Sequence, residues 1–319
     1  MSGQGIGTRR WSNLVSETQF AADLVLTGIR RVSSLPMDGN IVGEISYDQT
    51  FPLHVGLHTY TSGLERLCKL ALACHGFLET GTFVPVRGYS HRITELLDAL
   101  QELDLSAFSK GTGEYLSRPS DEYEPELNDW LQRYASGAGR YELLDSLSSG
   151  AEALPTWEAW AEFCSRGEVS DDVRRYIDMH YATGYVLREV ATSHDLESVA
   201  SGHLEEFDHP FSERSAAVAL AMYRRARWAA SILDAVSYYT HQELPILGEA
   251  LVELRQTTNN FFAYVIAKLS DPEVVEEELL AHRENFVSPS EDDEFDEWQA
   301  DGEELLHAET GDVASVSRP

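Results

Sequence analysis

Lysine is nearly missing from this chain. The 319 residues include three, Lys69, Lys110 and Lys268, so almost all of the positive charge is arginine. Against 24 basic residues stand 54 acidic ones, a formal net charge of −30. A lysine-poor, carboxylate-rich surface stays hydrated in molar salt, where charge repulsion is screened to about 3 Å. The expectation is a halophilic prokaryotic cytosol; the alternative is simply an acidic protein that avoids nucleic acid. At low salt a field of this sign repels a phosphate backbone. At molar salt that long-range repulsion fades, which leaves room for a local cationic site that takes RNA.

Cysteine is scarce as well. Cys68, Cys74 and Cys164 are odd in number and lack C-x-x-C spacing, which argues against a disulfide framework or a zinc knuckle and for reduced, buried thiols. No run of about 18 apolar residues is present, so no membrane span is expected. The opening MSGQGIGTRRWSNLVSETQF has a basic pair but no continuous apolar stretch, a poor secretory signal. The expected location is cytoplasmic. Also missing are the glycine-rich phosphate loops and the G-x-S-x-G elbow, so the common nucleotide-binding and hydrolase motifs lend no support. No cofactor is expected.

What is present is helical periodicity nearly throughout, on a chain 43% hydrophobic and 10% aromatic. No region alternates convincingly with period two, and a short strand pair around Ile41 to Tyr47 is the one alternative left open, so the expected fold class is all-α, a multi-helix bundle. A first helix is predicted over Asn13 to Arg31, with Leu14, Phe20, Leu24, Val25, Ile29 and Val32 inward. From Leu57 a long helix keeps Tyr60, Leu64, Leu67, Ala71, Leu72 and Leu78 on one face; a Gly/Pro-punctuated turn then leads to a second helix opening with His91. Further helices are predicted over Pro125 to Ala135, from near Arg140, from Pro155 through TWEAWAEFC, and over Asp171 to Thr192. Two long apolar helices, Ser212 to His241 and Pro245 to Leu269, share a short link and should pack antiparallel. From Asp271 onward 17 acids face two arginines, and residues 288–319 read as a disordered acidic tail. The predicted organisation is a helical domain over 1–150, a C-terminal helical region over 151–287, and the tail.

The chemistry-bearing residues cluster in the first half. Glu65 and Lys69 are four apart with the acid N-terminal, the favourable orientation for a helical ion pair. The pattern GLERLCKL at Gly63 to Leu70, then SHRITELL at Ser90 to Leu97 and GRYELLDSL at Gly139 to Leu147, resembles the HEPN superfamily, in particular its abortive-infection, AbiV-like helical proteins. The resemblance spans about residues 59–149 and rests on short motifs. It implies a compact, often dimeric helical unit of prokaryotic defence or toxin–antitoxin type. Many such units are metal-independent ribonucleases; others bind RNA or nucleotides without cleaving. Active members place an arginine and a histidine four to six residues apart. Arg175 with His180 fits that spacing, as does Arg188 with His194, although composition supplies such pairs by chance and both lie outside the matching segment.

RNA cleavage needs a base near the 2′-hydroxyl and a cation at the phosphorane. The candidate set is His91 as base, Arg140 and Lys69 as charge stabilisers, and Glu65 as the group that orients one of them. His54 and His58, four apart with Glu65 further along the face, have the spacing of metal ligands. They lack the H-E-x-x-H glutamate, and no metal is expected. Arg224, Arg227 and Trp228 form the densest basic and aromatic cluster, a candidate surface for stacking single-stranded RNA; a solvated helix face is the plainer reading. The competing class is a non-enzymatic helical interaction or scaffold protein within a multi-subunit assembly. Expected partners are RNA and a second copy of the chain or another protein, with no membrane.

Overall fold

The structure is a computed structural model that describes residues 6–35, 47–106, 115–139, 141, 144, 147, 156–193, 212–239 and 243–256; of 47–49, 172, 176, 179, 180, 183, 186, 187, 190 and 193 it describes the backbone alone. Among the described residues the protein is all-α, with seven α-helices and no strand. They are α1 (Thr8–Ser33), α2 (Tyr47–Thr80), α3 (Ile93–Gln101), α4 (Glu126–Ala135), α5 (Thr156–Cys164), α6 (Asp171–Ser193) and α7 (Glu213–Tyr239). No helix is long and apolar enough to cross a membrane among the described residues.

Helices α1 and α2 form an antiparallel pair whose closeness is set by glycine. A Cβ at Gly28 would lie 2.5 Å from the Cβ and backbone N of Tyr60, and one at Gly63 would lie 2.7 Å from the backbone N of Val25. Gly56, seven residues before Gly63 and so on the same face, lies against Val32 and Arg31. The seam between the two helices is therefore Ala21, Val25, Gly28 and Val32 against Gly56, Tyr60 and Gly63. Phe20, expected inward, sits one position off this seam and is 48% exposed. Of the predicted α2 face, Leu57, Tyr60, Leu64, Leu67, Ala71 and Leu72 are buried, and Leu78 is partly buried.

Against this pair packs α7, so residues from before and after position 150 share one core. Its small side chains, with Ala216, Ala219, Ala226, Ala229 and Ala230 all at 0–1% exposure, let it approach closely. Tyr60 Oη donates to the carbonyl of Met222 at 2.7 Å, and Ser215 Oγ to that of Leu35 at 2.7 Å, so polar groups carried into the core are bonded. Helices α3 and α4 lie on α2, and α5 contributes Trp157, Trp160 and Phe163 to the interior.

The long helix expected over Pro245 to Leu269 is not formed in its described part. Residues Leu247–Leu251 and Glu253–Arg255 are short 3₁₀ turns, and Gln256 is extended. The segment is held along α7 instead: Leu247 N–H donates to Ser237 Oγ at 3.1 Å, Arg255 pairs with Asp234 at 3.0 Å, and Tyr223 Oη donates to the Gln256 carbonyl at 2.8 Å. Side-chain anchors from α7 take the place of helical packing.

By contact density the chain divides into two compact units, residues Met1–Gly184 with Glu205–Ser270, and Tyr185–Leu204 with Asp271–Pro319. Helices α1 to α5 and α7 lie in the first. Of the second, the described residues are 185–193, the last part of α6. The expected acidic tail lies outside the described residues.

Candidate functional site

Helix α2 places His58, Ser62, Glu65 and Lys69 along one stripe, three to four residues apart. The chain then leaves α2 at Thr80 and returns through a 3₁₀ turn, Arg87–Tyr89, to start α3 at Ile93. His91 therefore stands two residues ahead of the helix it was expected to open. Just before it, Ser90 has φ +50°, a backbone conformation that favours glycine and costs a β-carbon-bearing residue of order 1–3 kcal/mol. The turn is held from both sides: Lys69 Nζ donates to the Ser90 carbonyl at 2.6 Å, and Gln132 of α4 donates to the His91 carbonyl at 3.2 Å.

These restraints bring three of the four predicted residues together. Glu65 Oε1 accepts from Lys69 Nζ at 2.6 Å, and Glu65 Oε2 lies 2.9 Å from His91 Nδ1. Since an ionised carboxylate only accepts, Nδ1–H is the donor in this contact, and in the neutral form of the ring the lone pair lies on Nε2. The Glu65 side chain is 14% exposed and that of Lys69 21%, whereas His91 is 59% exposed. A sheltered acid thus fixes an accessible imidazole and a half-buried ammonium beside it. Arg140, the fourth member, lies outside the described residues.

Around this triad is a cleft of about 430 Å³, lined also by Glu17, His58, Ser62, Arg66, Val86 and Tyr134. His58 is therefore a wall residue of the cleft that spacing had suggested only as a metal ligand. His54 does not join it in the lining; its Nδ1 lies 2.9 Å from Tyr134 Oη, with the rings tilted at 5.6 Å between centroids. Among the described residues no group of three His, Cys, Asp or Glu side chains is placed to hold a metal ion.

The other candidates are dispersed. Arg175 is exposed on α6 and does not line the cleft; the side chains of His180 and His194 lie outside the described residues. Arg224 is half-buried, while Arg227 is 8% and Trp228 2% exposed. Trp228 Nε1–H donates to the Leu116 carbonyl at 3.0 Å, and Arg227 donates to the Gln256 carbonyl at 3.1 Å with its guanidinium 4.0 Å from the Tyr115 ring centroid. Arg227 and Trp228 are thus buried as well as bonded, so two of the three predicted stacking residues belong to an interior cluster. The reason is that α7 is apolar on nearly all sides, and such a helix is buried all round.

Sequence reasoning missed the role of Arg225. It is 1% exposed and reaches across the core to Asp121 at 3.0 Å, Asn128 Oδ1 at 3.3 Å and the Ala221 carbonyl at 3.0 Å. Burial also defines the thiols: it raises that of Cys68 and pushes that of Cys74 up to about 12, which suppresses the reactive thiolate. No protein-family model, curated protein or solved structure matches this chain.

Proposed function

We propose that this chain is a HEPN-like, RNA-handling protein of prokaryotic defence or toxin type. It works in a salt-rich cytoplasm and engages a phosphodiester at the Glu65–Lys69–His91 cleft. The single observation that carries this reading is the shared carboxylate: Glu65 orients His91 through Nδ1 and Lys69 through Nζ at one exposed edge. In the catalytic form, His91 Nε2 takes the proton of a 2′-hydroxyl, and the 2′-oxygen attacks the adjacent phosphorus. The bond to the 5′-oxygen breaks, and that oxygen takes a proton from water. Lys69 has spent two of its three N–H groups on Glu65 and the Ser90 carbonyl and offers the third to a phosphoryl oxygen. The proposed scheme is metal-independent, with side chains and water carrying its steps.

The test is RNA cleavage in molar KCl by wild type and His91→Ala. Loss of about 10²- to 10⁴-fold in rate is expected for removal of a general base. Cleavage unchanged in the variant removes His91 from the scheme. RNA bound by wild type but never cleaved leaves a binding protein.

A second reading, a helical interaction protein, draws on Tyr141, Leu144 and Leu147. They are 54%, 63% and 82% exposed at a three-residue spacing in helical backbone. Sedimentation of wild type against Leu144→Glu with Leu147→Glu tests it; an unchanged monomeric mass for both rejects it.

A further inference from the structure

We propose that the groove beside the cleft is a nucleobase subsite, so that the substrate class is single-stranded RNA with an unpaired base next to the scissile phosphate; this rests on the function proposed above. The first sign is Phe20. On a helix whose Val25, Ile29 and Val32 are fully buried, this ring stays 48% exposed. It lines a groove of about 730 Å³ with Arg10, Asn13, Leu14, Glu17, Leu70 and Phe83. The second is continuity. Glu17 and Leu70 line both this groove and the Glu65–Lys69–His91 cleft, so the two cavities share a wall.

The third sign is chemical. Arg66, a lining residue of the cleft, holds its guanidinium 4.9 Å from the Phe20 ring centroid and is fixed there by an ion pair with Glu17. Aromatic rings and guanidinium planes are the surfaces on which unpaired bases stack. Leu14, Leu70 and Phe83 give an apolar floor, and Arg10 adds a cation along the same α1 face at residues 10, 13, 17 and 20. A base on Phe20 and a phosphate at Lys69 then occupy adjoining cavities. Paired bases in a duplex have their faces covered by their neighbours and cannot enter such a groove.

The experiment compares affinities of the full chain, at one fixed KCl concentration, for a single-stranded RNA of about ten nucleotides, the same strand with abasic positions, and a blunt duplex of equal length. The single strand should bind tightest. Phe20→Ala should weaken it about 5- to 150-fold, the range of one base–aromatic stack, and should leave affinity for the abasic strand unchanged; Phe20→Trp should restore binding. Phe20 is exposed, so the variants keep the wild-type helical melt. Duplex bound as well as single strand, or Phe20→Ala without effect on a strand that Lys69→Ala no longer binds, overturns the subsite and leaves the proposed function standing. No binding of any RNA removes both.

Discussion

Glu65 and His91 are 26 residues apart and share a hydrogen bond of 2.9 Å, made possible by the turn at Ser90 that folds the chain back onto α2. The same carboxylate holds Lys69. Replacing it with an amide keeps the volume but supplies an N–H donor where Nδ1–H and the ammonium need acceptors. Glu65→Gln should therefore lower RNA cleavage by up to about 10⁴-fold, the loss found when the carboxylate that orients a general-base histidine becomes an amide. Gln132→Ala, which frees the His91 carbonyl, should lower it less. Single-turnover rates measure both. An unchanged rate in Glu65→Gln would mean that the carboxylate is structural and that the imidazole orients itself.

The spacing of α1 and α2 gives a prediction about stability. Gly63→Ala forces a methyl group to within 2.7–2.8 Å of the Val25 nitrogen and Ala21 carbonyl, atoms of rigid backbone. Overpacking of this kind costs about 1–3 kcal/mol. At Gly88, which has nothing within 4 Å of an added Cβ, the same change meets no obstacle. Urea midpoints should separate the two variants, with Gly63→Ala well below wild type and Gly88→Ala close to it.

How much of this was legible in the sequence depends on how far apart the partners lie. The Glu65–Lys69 pair is a four-residue relationship and could be read directly, as could the buried face from Leu57 to Leu72. His91 could be nominated because one hairpin separates it from Glu65, although its position ahead of α3 could not. Phe20 was misplaced because periodicity ranks residues by helix face without knowing which face meets a glycine seam. In α7 the error was larger. Arg224 and Arg227 looked like surface cations and Arg225 was given no role, yet Arg225 and Arg227 find their partners in Asp121 and the Gln256 carbonyl, and no local pattern announces pairing across that distance. In its described part the helix expected from Pro245 gives way for the same reason, since Asp234, Ser237 and Tyr223 on α7 bind that segment as short turns.

Arg225 should accordingly matter for folding and not for RNA. Arg225→Ala leaves Asp121, 8% exposed at its side chain, without its guanidinium in the core. Removing one partner of a buried ion pair costs about 3–5 kcal/mol. Arg224→Ala, at a half-buried neighbour, should stay within about 0.5 kcal/mol of wild type. Denaturant unfolding at fixed salt checks both; equal midpoints would show that water or rearranged side chains satisfy Asp121.

Asp234 supplies a pH dependence whose sign is opposite to that of most carboxylates. Burial raises its affinity for a proton above the ordinary value of 3.8, and the nearby Arg255 guanidinium only partly offsets this. In the window just above that value the unfolded chain has lost the proton while the folded chain retains it. Stability contributed by the group is then present below the unfolded value and declines as pH rises through the folded one. Asp234→Asn removes this term. The difference in unfolding free energy, wild type minus variant, should therefore fall as pH is raised from about 3.9, the free carboxyl value, towards neutrality, whatever the other acids of the chain contribute to both proteins alike. Gly248 sits beneath this carboxyl, with an added Cβ 1.9 Å from Oδ1, so Gly248→Ala should push Asp234 off Arg255 and loosen the 247–255 turns from α7. Amide exchange at Leu247, whose N–H is held by Ser237, measures that release; protection equal to wild type in Gly248→Ala would show that the anchors at Ser237 and Tyr223 hold the segment without the ion pair.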